Sequence, residues 1–136
     1  MRRISWDEYA LKLAETAALR SEDPFAKVGA CALDWHNRVL GVGYNGLTPG
    51  KKVPKSFWKD REKRLPYIVH AEQNLLSLFN RNQARLIAVT LLPCSYCARL
   101  ICSWNIPEVV YREDYLRDGL AKDIFKFYNV TLKKIS

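Results

Sequence analysis

A short pattern of metal ligands constrains this chain more than any other feature of its sequence. His70 stands two residues before Glu72, and Pro93 leads into Cys94 and Cys97 further along. One His and two Cys can hold a zinc ion and leave its fourth position to water, whereas structural sites are normally closed by four protein ligands. We therefore expect a fold that brings two separate segments together around one ion.

Glu72 is the residue that turns this pattern from structural to catalytic. It can sit beside the metal without binding it and can transfer protons to and from a water molecule. H-x-E followed by P-C-x-x-C resembles the signature of zinc-dependent nucleobase deaminases. C-x-x-C alone would also fit a redox pair, half a zinc finger or two unrelated thiols. A structural zinc knot and a catalytically inactive relative remain as alternatives.

Length and composition predict one domain over residues 1–136. Hydrophobic residues make up 49% of the chain, which is enough for an ordinary core. No apolar run approaches the ~20 residues of a membrane span. The first residues, 1–4, lead into charged residues and not into the apolar core of a signal peptide. We expect a soluble, cytoplasmic protein with no membrane partner.

The four cysteines do not indicate a disulfide scaffold, because the chain has a large core and no export signal. Cys94 and Cys97 are assigned to the metal. Cys31 lies in an apolar strand and Cys102 on an apolar helix face, so both are predicted to be buried thiols. A second zinc held by Cys31, Cys102 and His36 is the alternative, although His36 fits better as an exposed turn residue.

The net charge of +8 indicates an anionic partner. It does not distinguish a nucleic acid from a free nucleotide, and much of it fits an ordinary solvated surface. Seven of the basic residues lie in the long irregular stretch 47–66, where Phe57 and Trp58 can pin the chain to the body. Long loops in compact domains are often binding elements.

Periodicity predicts alternating helices and strands after an opening hairpin. A capping box of Ser5 and Glu8 begins the first helix. The fold class is α/β, a three-layer α-β-α sandwich around one mixed five-stranded sheet. The predicted strands are 28–33, 38–43, 86–92, 109–111 and 130–132, and the predicted helices are 5–20, 56–63, 70–81, 95–104 and 115–128.

Beyond the zinc pattern, the chain resembles deoxycytidylate (dCMP) deaminases over nearly its whole length. R-S-E-D-P at 20–24 is similar to the family's R-S-K-D-P, and G-Y-N-G at 43–46 matches its G-Y-N-G. P-Y-I-V-H-A-E-Q-N at 66–74 and L-P-C-S-Y-C-A at 92–98 extend the likeness. G-Y-N-G, with a non-acidic residue before P-C, separates the chain from tRNA adenosine deaminases.

This resemblance implies a cytidine-deaminase-like fold and hydrolysis of dCMP to dUMP and ammonia, which feeds thymidylate synthesis. His70, Cys94 and Cys97 would hold one zinc per subunit, because the extra His and Cys that some members use for a structural zinc are missing. Asn45 would contact the deoxyribose, and the backbone of Ala71 would face the base. Tyr67 and Lys27 are further candidates for substrate binding.

The resemblance also implies regulation. Many members are homohexamers activated by dCTP and inhibited by dTTP, with Mg²⁺ on the effector's phosphates, although members without allosteric control exist. The effector lies between subunits near G-Y-N-G, which makes Tyr44, Gly46, Lys51 and Arg81 the candidate residues.

Two other functions compete with a free-nucleotide deaminase. A polynucleotide deaminase would explain the charge of +8 and the aromatic-basic stretch, but the chain has no long appended platform for a strand, so we expect no stable nucleic-acid partner. A non-catalytic zinc protein would have no use for Glu72.

Overall fold

The computed structural model describes residues 2–136 of the chain. Its strands are β1 (Gly29–Asp34), β2 (Val39–Tyr44), β3 (Ala84–Leu91), β4 (Glu108–Glu113) and β5 (Thr131–Lys134). Its α-helices are α1 (Trp6–Ala18), α2 (Arg61–Arg64), α3 (Ala71–Leu76), α4 (Ser95–Ser103) and α5 (Ala121–Phe127), and two 3₁₀ turns cover Lys55–Lys59 and Leu65–Tyr67.

The strands form one mixed sheet in the order β2-β1-β3-β4-β5. β1 is antiparallel to both β2 and β3, while β3, β4 and β5 run parallel. The predicted hairpin is confirmed. Its turn is held by the Asp34 carboxylate, which accepts hydrogen bonds from the backbone N–H groups of His36 and Arg38.

Two separate apolar clusters show that helices cover both faces of the sheet. Successive strand residues point to opposite faces. Leu86 and Ala88 of β3 pack with α1, while Ile87 and Val89 pack in the cluster that includes residues of α3, α4 and α5. The predicted three-layer sandwich, with β3 as a strand buried on both faces, is confirmed.

Several predicted helices are longer than the observed ones. α3 ends at Leu76, after which Leu78 and Phe79 donate backbone hydrogen bonds to residues three positions earlier and form a tight turn. The predicted helix 115–128 begins only at Ala121, and residues 114–120 form an irregular segment before it. Extended backbone at Asp60 divides the predicted helix 56–63 into a 3₁₀ turn and α2.

The capping box predicted at the start of α1 is only half formed. The Ser5 hydroxyl accepts a hydrogen bond from the backbone N–H of Glu8. The Glu8 carboxylate faces Lys12 and Arg112 instead of returning to Ser5.

Close backbone contact sets the position of α3 against the sheet. A Cβ on Gly43 would lie 2.7 Å from the carbonyl oxygen of Ala71 and 2.8 Å from the backbone nitrogen of Leu75. Only glycine allows β2 and α3 to approach this closely. Gly46, predicted to serve the same purpose, would make only an ordinary contact with Glu22 at 3.5 Å. No helix within residues 2–136 is long and apolar enough to cross a membrane.

Candidate active site

Two helix N-termini bring the predicted metal ligands together. His70 caps α3, and Cys94 caps α4 shortly after β3 ends. Cys97 follows in the first turn of α4. The Nδ1 atom of His70 lies 3.6 Å from the Sγ atom of Cys94 and 3.3 Å from the Sγ atom of Cys97. The Gln73 side chain accepts a 2.8 Å hydrogen bond from the backbone N–H of His70 and holds the start of α3.

The three donor atoms have the spacing of a tetrahedral zinc site. Ordinary zinc–sulfur and zinc–nitrogen bonds place two such ligand atoms about 3.5 Å apart, between the two distances observed. All three atoms lie within 4.8 Å of one another, and residues 2–136 contain no second group of three such donors this close. The alternative site of Cys31, His36 and Cys102 is therefore not assembled.

Hydrogen bonding favours the thiolate form of one of the two cysteines, Cys94. The pKa of Cys94 falls to about 4, mainly because the Cys97 thiol donates to its sulfur, with a further contribution from His70. The same contact, together with burial, raises the pKa of Cys97. The hydrogen bond with Cys94 also raises the pKa of His70. Thiolate is the form that binds metal, so the donor set suits a divalent cation.

Glu72 lies beside these ligands in the first turn of α3. Its side chain is only 4% exposed. Burial is the main reason that the pKa of this carboxyl rises to about 7, against the opposing effects of its backbone hydrogen bond and the charge of His70. A carboxyl group with a pKa near neutrality can both accept and donate a proton.

A cavity of about 510 Å³ opens onto His70, Cys94 and Glu72, and its volume is within the usual range for small-molecule sites. Most of its wall surface is apolar, although about half of the residues that line it are polar or charged. The lining includes Phe25, Ala26, Val28, Trp58, Leu65, Ile68, Leu91 and Leu92, together with Asp23, Asn45, Lys59, Arg61, Arg64, His70, Ala71, Glu72, Cys94, Tyr115 and Arg117.

Asn45 shapes one wall of this cavity. Its Oδ1 accepts a 2.9 Å hydrogen bond from the N–H of Val28, and its Nδ2 donates a 2.8 Å hydrogen bond to the carbonyl of Ala26. The Ser21 hydroxyl donates to the carbonyl oxygen of Asn45. A side-chain amide has a second hydrogen-bonding position on each atom, so Asn45 can hold the wall and also face a ligand.

The other predicted substrate residues are placed differently from one another. Ala71 lines the cavity next to Glu72. Tyr67 does not line it; its side chain is 65% exposed and its ring packs against Phe57. Lys27 also lies outside the lining, where its Nζ donates to the carbonyl of Ser21.

Three of the four predicted effector residues share a second cavity of about 520 Å³. Tyr44, Gly46 and Lys51 line it together with Arg20 and other residues of 20–22, 42–51 and 74–78. Arg81 does not, because its guanidinium lies 5.2 Å from the ring centroid of Trp104 on another part of the surface.

Sequence reasoning missed four basic residues that line the first cavity. Lys59, Arg61 and Arg64 were included only in a general basic stretch, and Arg117 was not singled out. The four-residue helix α2 is too short to show periodicity, and 114–120 is irregular, so no local signal marked the direction of these side chains. The basic composition of 51–64 was the only available clue.

Asp118 supports the metal-ligand helix from outside. Its carboxylate accepts a 2.7 Å hydrogen bond from the backbone N–H of Ser95, the first residue of α4, and a 3.1 Å bond from Leu120. The N–H of Ser95 is the main cause of the lowered pKa of Asp118. A negative charge at a helix N-terminus is favourable, so Asp118 fixes α4 next to Cys94.

Comparison with known proteins decides the family. The family described as the cytidine and deoxycytidylate deaminase zinc-binding region matches residues 4–113. The chain belongs to this deaminase family. The deoxycytidylate deaminase of Mus musculus is 34% identical, over 98% of this chain and 81% of that protein. The deoxycytidylate deaminase of Mycobacterium phage D29 is also 34% identical, over 84% of this chain and 99% of that protein.

Solved structures of deaminases share the fold. The dCMP deaminase of cyanophage S-TIM5, in complex with dCMP and dUMP, superposes with a TM-score of 0.81 at 23% identity, covering 99% of this chain and 100% of that one. The cytidine deaminase of Mycobacterium tuberculosis has a TM-score of 0.54 at 19% identity, over 85% and 89% of the two chains. The sandwich derived above is thus the deaminase fold.

Proposed function

We propose that this protein catalyses hydrolytic deamination of dCMP to dUMP and ammonia. The observation that carries the proposal is the donor group of His70, Cys94 and Cys97 beside the buried carboxyl of Glu72, at a cavity that His70, Cys94 and Glu72 line. Deoxycytidylate deaminases at 34% identity over most of the chain support dCMP as the substrate.

Each residue of the site has one role in this proposal. His70, Cys94 and Cys97 hold a single zinc ion, which, when bound, lowers the pKa of water and makes hydroxide available near neutral pH. Glu72 accepts one proton from the attacking water and gives it to the ring nitrogen of cytosine. It then carries the second proton, from the hydroxyl group now on the ring carbon, to the amine, which leaves as ammonia as the carbonyl forms. The apolar walls exclude other water, and Asn45 and Ala71 orient the nucleoside.

We favour a mononucleotide over a polynucleotide because of how the aromatic residues of 47–66 are packed. Trp58 is 9% exposed, and Phe57 packs edge-on against it with ring centroids 5.2 Å apart. Strand-binding proteins present aromatic rings on which successive bases stack. Here Phe57 and Trp58 contact each other in place of offering such a surface.

We further propose that dCTP activates and dTTP inhibits the enzyme from the second cavity. Arg20 and Lys51 can neutralise triphosphate oxygens there, with Mg²⁺ completing the charge balance. Val42 and Leu78, on the same wall, are 43% and 56% exposed. Their exposure supports a homo-oligomer, which we propose to be a hexamer, in which another copy covers this face.

The test is ammonia release from dCMP, CMP, deoxycytidine, dCTP and a cytosine-containing oligonucleotide, with and without dCTP or dTTP as effectors. We expect turnover of dCMP well above the others and a shift in rate on adding either triphosphate. Turnover of the oligonucleotide alone would overturn the proposed substrate. Turnover of dCMP that ignores both triphosphates would keep the reaction and remove the regulation.

A further inference from the structure

Unpaired positive charge is concentrated in the lining of the first cavity. Lys59, Arg61 and Arg117 line it, and no carboxylate within residues 2–136 lies within 4.0 Å of their charged nitrogens. The two acidic residues of the lining leave this charge uncompensated, because Asp23 pairs with Arg64 and Glu72 lies beside the metal ligands. An apolar cavity with surplus cations favours an anionic ligand group.

Arg64 anchors the short helix α2 over the cavity. It is 6% exposed, its Nη1 donates a 3.3 Å hydrogen bond to the carbonyl of Trp58, and the same atom lies 3.6 Å from Asp23. Its guanidinium also lies 5.2 Å from the ring centroid of Phe25. The Nε atom is buried and has no hydrogen-bond partner within residues 2–136. A four-residue helix gains its fixed position from these contacts.

The anchored helix places Arg61 opposite the segment between β4 and α5. The Nη2 atom of Arg61 donates a 3.4 Å hydrogen bond to the hydroxyl of Tyr115, and Arg117 follows two residues later in the same segment. Two guanidinium groups from distant parts of the sequence therefore reach one cavity. Since that cavity also holds Glu72, a ligand can contact the arginines and the reacting site together.

We propose that Arg61 and Arg117 bind the 5′-phosphate of the nucleotide substrate and make the enzyme selective for a monophosphate over a nucleoside. The inference rests on the proposed function and names the residues that recognise its substrate. A phosphate monoester carries about −1.5 to −2 charge at pH 7. Arginine matches phosphate oxygens with two parallel hydrogen bonds, which a lysine cannot reproduce.

The experiment compares dCMP with deoxycytidine in wild type, Arg61→Ala, Arg117→Ala and Lys63→Ala. Lys63 is a matched control, because it lies on the same helix but is exposed and outside the cavity lining. We expect each arginine variant to lose on the order of 10- to 100-fold in kcat/KM for dCMP, the effect of losing a charged hydrogen bond. Deoxycytidine turnover should stay near wild type, and Lys63→Ala should match wild type on both substrates.

Arg61→Lys provides a variant that keeps the charge and changes only its geometry. We expect it to recover part of the loss seen in Arg61→Ala. An unchanged ratio of dCMP to deoxycytidine turnover in both alanine variants would overturn the inference. If both rates stayed at the wild-type level, the arginines would have no role in binding; if both fell equally, the arginines would support the fold and not the phosphate.

Direct binding separates failure of this inference from failure of the proposed function. Calorimetry with dUMP and deoxyuridine needs no turnover, so it applies even if wild type releases no ammonia from dCMP. We expect Arg61→Ala and Arg117→Ala to weaken dUMP and leave deoxyuridine unchanged. If the variants lose only binding of a cytosine-containing oligonucleotide, the arginines contact a phosphodiester backbone and the assignment to a monophosphate is wrong.

Discussion

The two cavities of this protein have nearly the same volume, about 510 and 520 Å³, but their chemistry differs. The first is lined by His70 and Cys94 of the candidate metal site and by Glu72, whose carboxyl pKa is raised to about 7 by burial. The second is lined by exposed polar side chains and by the chain around Gly46 and Lys51, and its carboxylate, Glu22, is exposed. Cavity size alone does not indicate catalysis; buried titratable groups beside metal ligands do.

A single segment serves both cavities. Asn45 lines the first, while its neighbours Tyr44 and Gly46 line the second. Successive residues of an extended chain point to opposite sides, so the end of β2 presents alternate residues to the two cavities. This arrangement gives a short physical connection between the two cavities.

The largest expected effect comes from removing a metal ligand. Cys94→Ser should lose zinc, because a serine hydroxyl does not supply the thiolate that binds it. Zinc contributes about 10–16 kcal/mol in small structural domains, so the melting temperature should fall as well. Cys102→Ser, at a partly buried thiol outside the donor group, is the control and should keep its zinc. Full metal content and an unchanged Tm in Cys94→Ser would refute the ligand assignment.

The same substitution can be made at one glutamate in each cavity, Glu72 in the first and Glu22 in the second. Glu72→Gln should lower turnover of dCMP by about 10²- to 10⁴-fold through loss of proton transfer while zinc content is kept. Glu22→Gln should retain near-normal turnover, because its carbonyl can still accept the 3.2 Å hydrogen bond from the N–H of Leu47. Steady-state ammonia release with metal analysis measures both. Near-normal rates for Glu72→Gln would contradict the mechanism.

Gly43→Ala should disturb both cavities through the packing of α3. Its Cβ would collide with the backbone at Ala71 and Leu75, and overpacking of this kind costs about 1–3 kcal/mol. The free energy of urea unfolding should fall by that amount. Gly119→Ala, whose added Cβ would meet no atom within 4 Å, is the matched control. Equal stability of the two variants would show that β2 and α3 can separate without cost.

Substitutions at Asn45 and Tyr44, neighbours that line different cavities, should affect different properties of the enzyme. Asn45→Ala leaves the N–H of Val28 without its side-chain partner, and a lost buried hydrogen bond costs about 1–3 kcal/mol. We expect a higher KM for dCMP. Tyr44→Ala should instead change mainly the dCTP concentration required for activation. Titrations of rate against dCMP and against dCTP measure the two effects. Identical profiles for the two variants would contradict the assignment of Asn45 to the first cavity and Tyr44 to the second.

The smallest expected effect is at Asp118. Asp118→Ala removes the acceptor for the N–H of Ser95 and should lower both Tm and zinc affinity slightly at pH 7. The folded protein lowers the pKa of Asp118 below its ordinary 3.8. The ionised group therefore stabilises the fold above that pH, and its contribution is lost as the pH falls through the lower pKa of the folded state. Thermal melts of the two proteins should thus converge in acid, and a difference that persists there would contradict the capping role.

The metal-ligand pattern was predictable because its geometry is mostly local. Cys94 and Cys97 lie one helical turn apart, so a helix beginning at this point places both sulfurs at its N-terminus. His70 and Glu72 are similarly fixed at the start of α3. The sheet was predictable for a related reason, since the central part of β3, residues 86–89, is a continuous apolar run typical of a strand buried on both faces.

The cavity rim was not predictable, because nothing local sets its side-chain directions. Lys27 and Tyr67 were further candidates for substrate binding, yet neither lines the cavity. Arg61 and Arg117 do, and they come from segments more than fifty residues apart in the sequence that meet only in the folded chain. Long-range packing selects which basic residues face inward.

The sequence by itself indicated the His-x-Glu and Cys-x-x-Cys patterns and the α/β layers, because each depends on the spacing of a few residues within one helix or strand. Only the tertiary structure decided that Glu72 is buried, that G-Y-N-G lies between two cavities, and that two arginines without carboxylate partners face the site. Burial and charge balance are sums over all neighbouring segments, and those neighbours are defined only once the chain has folded.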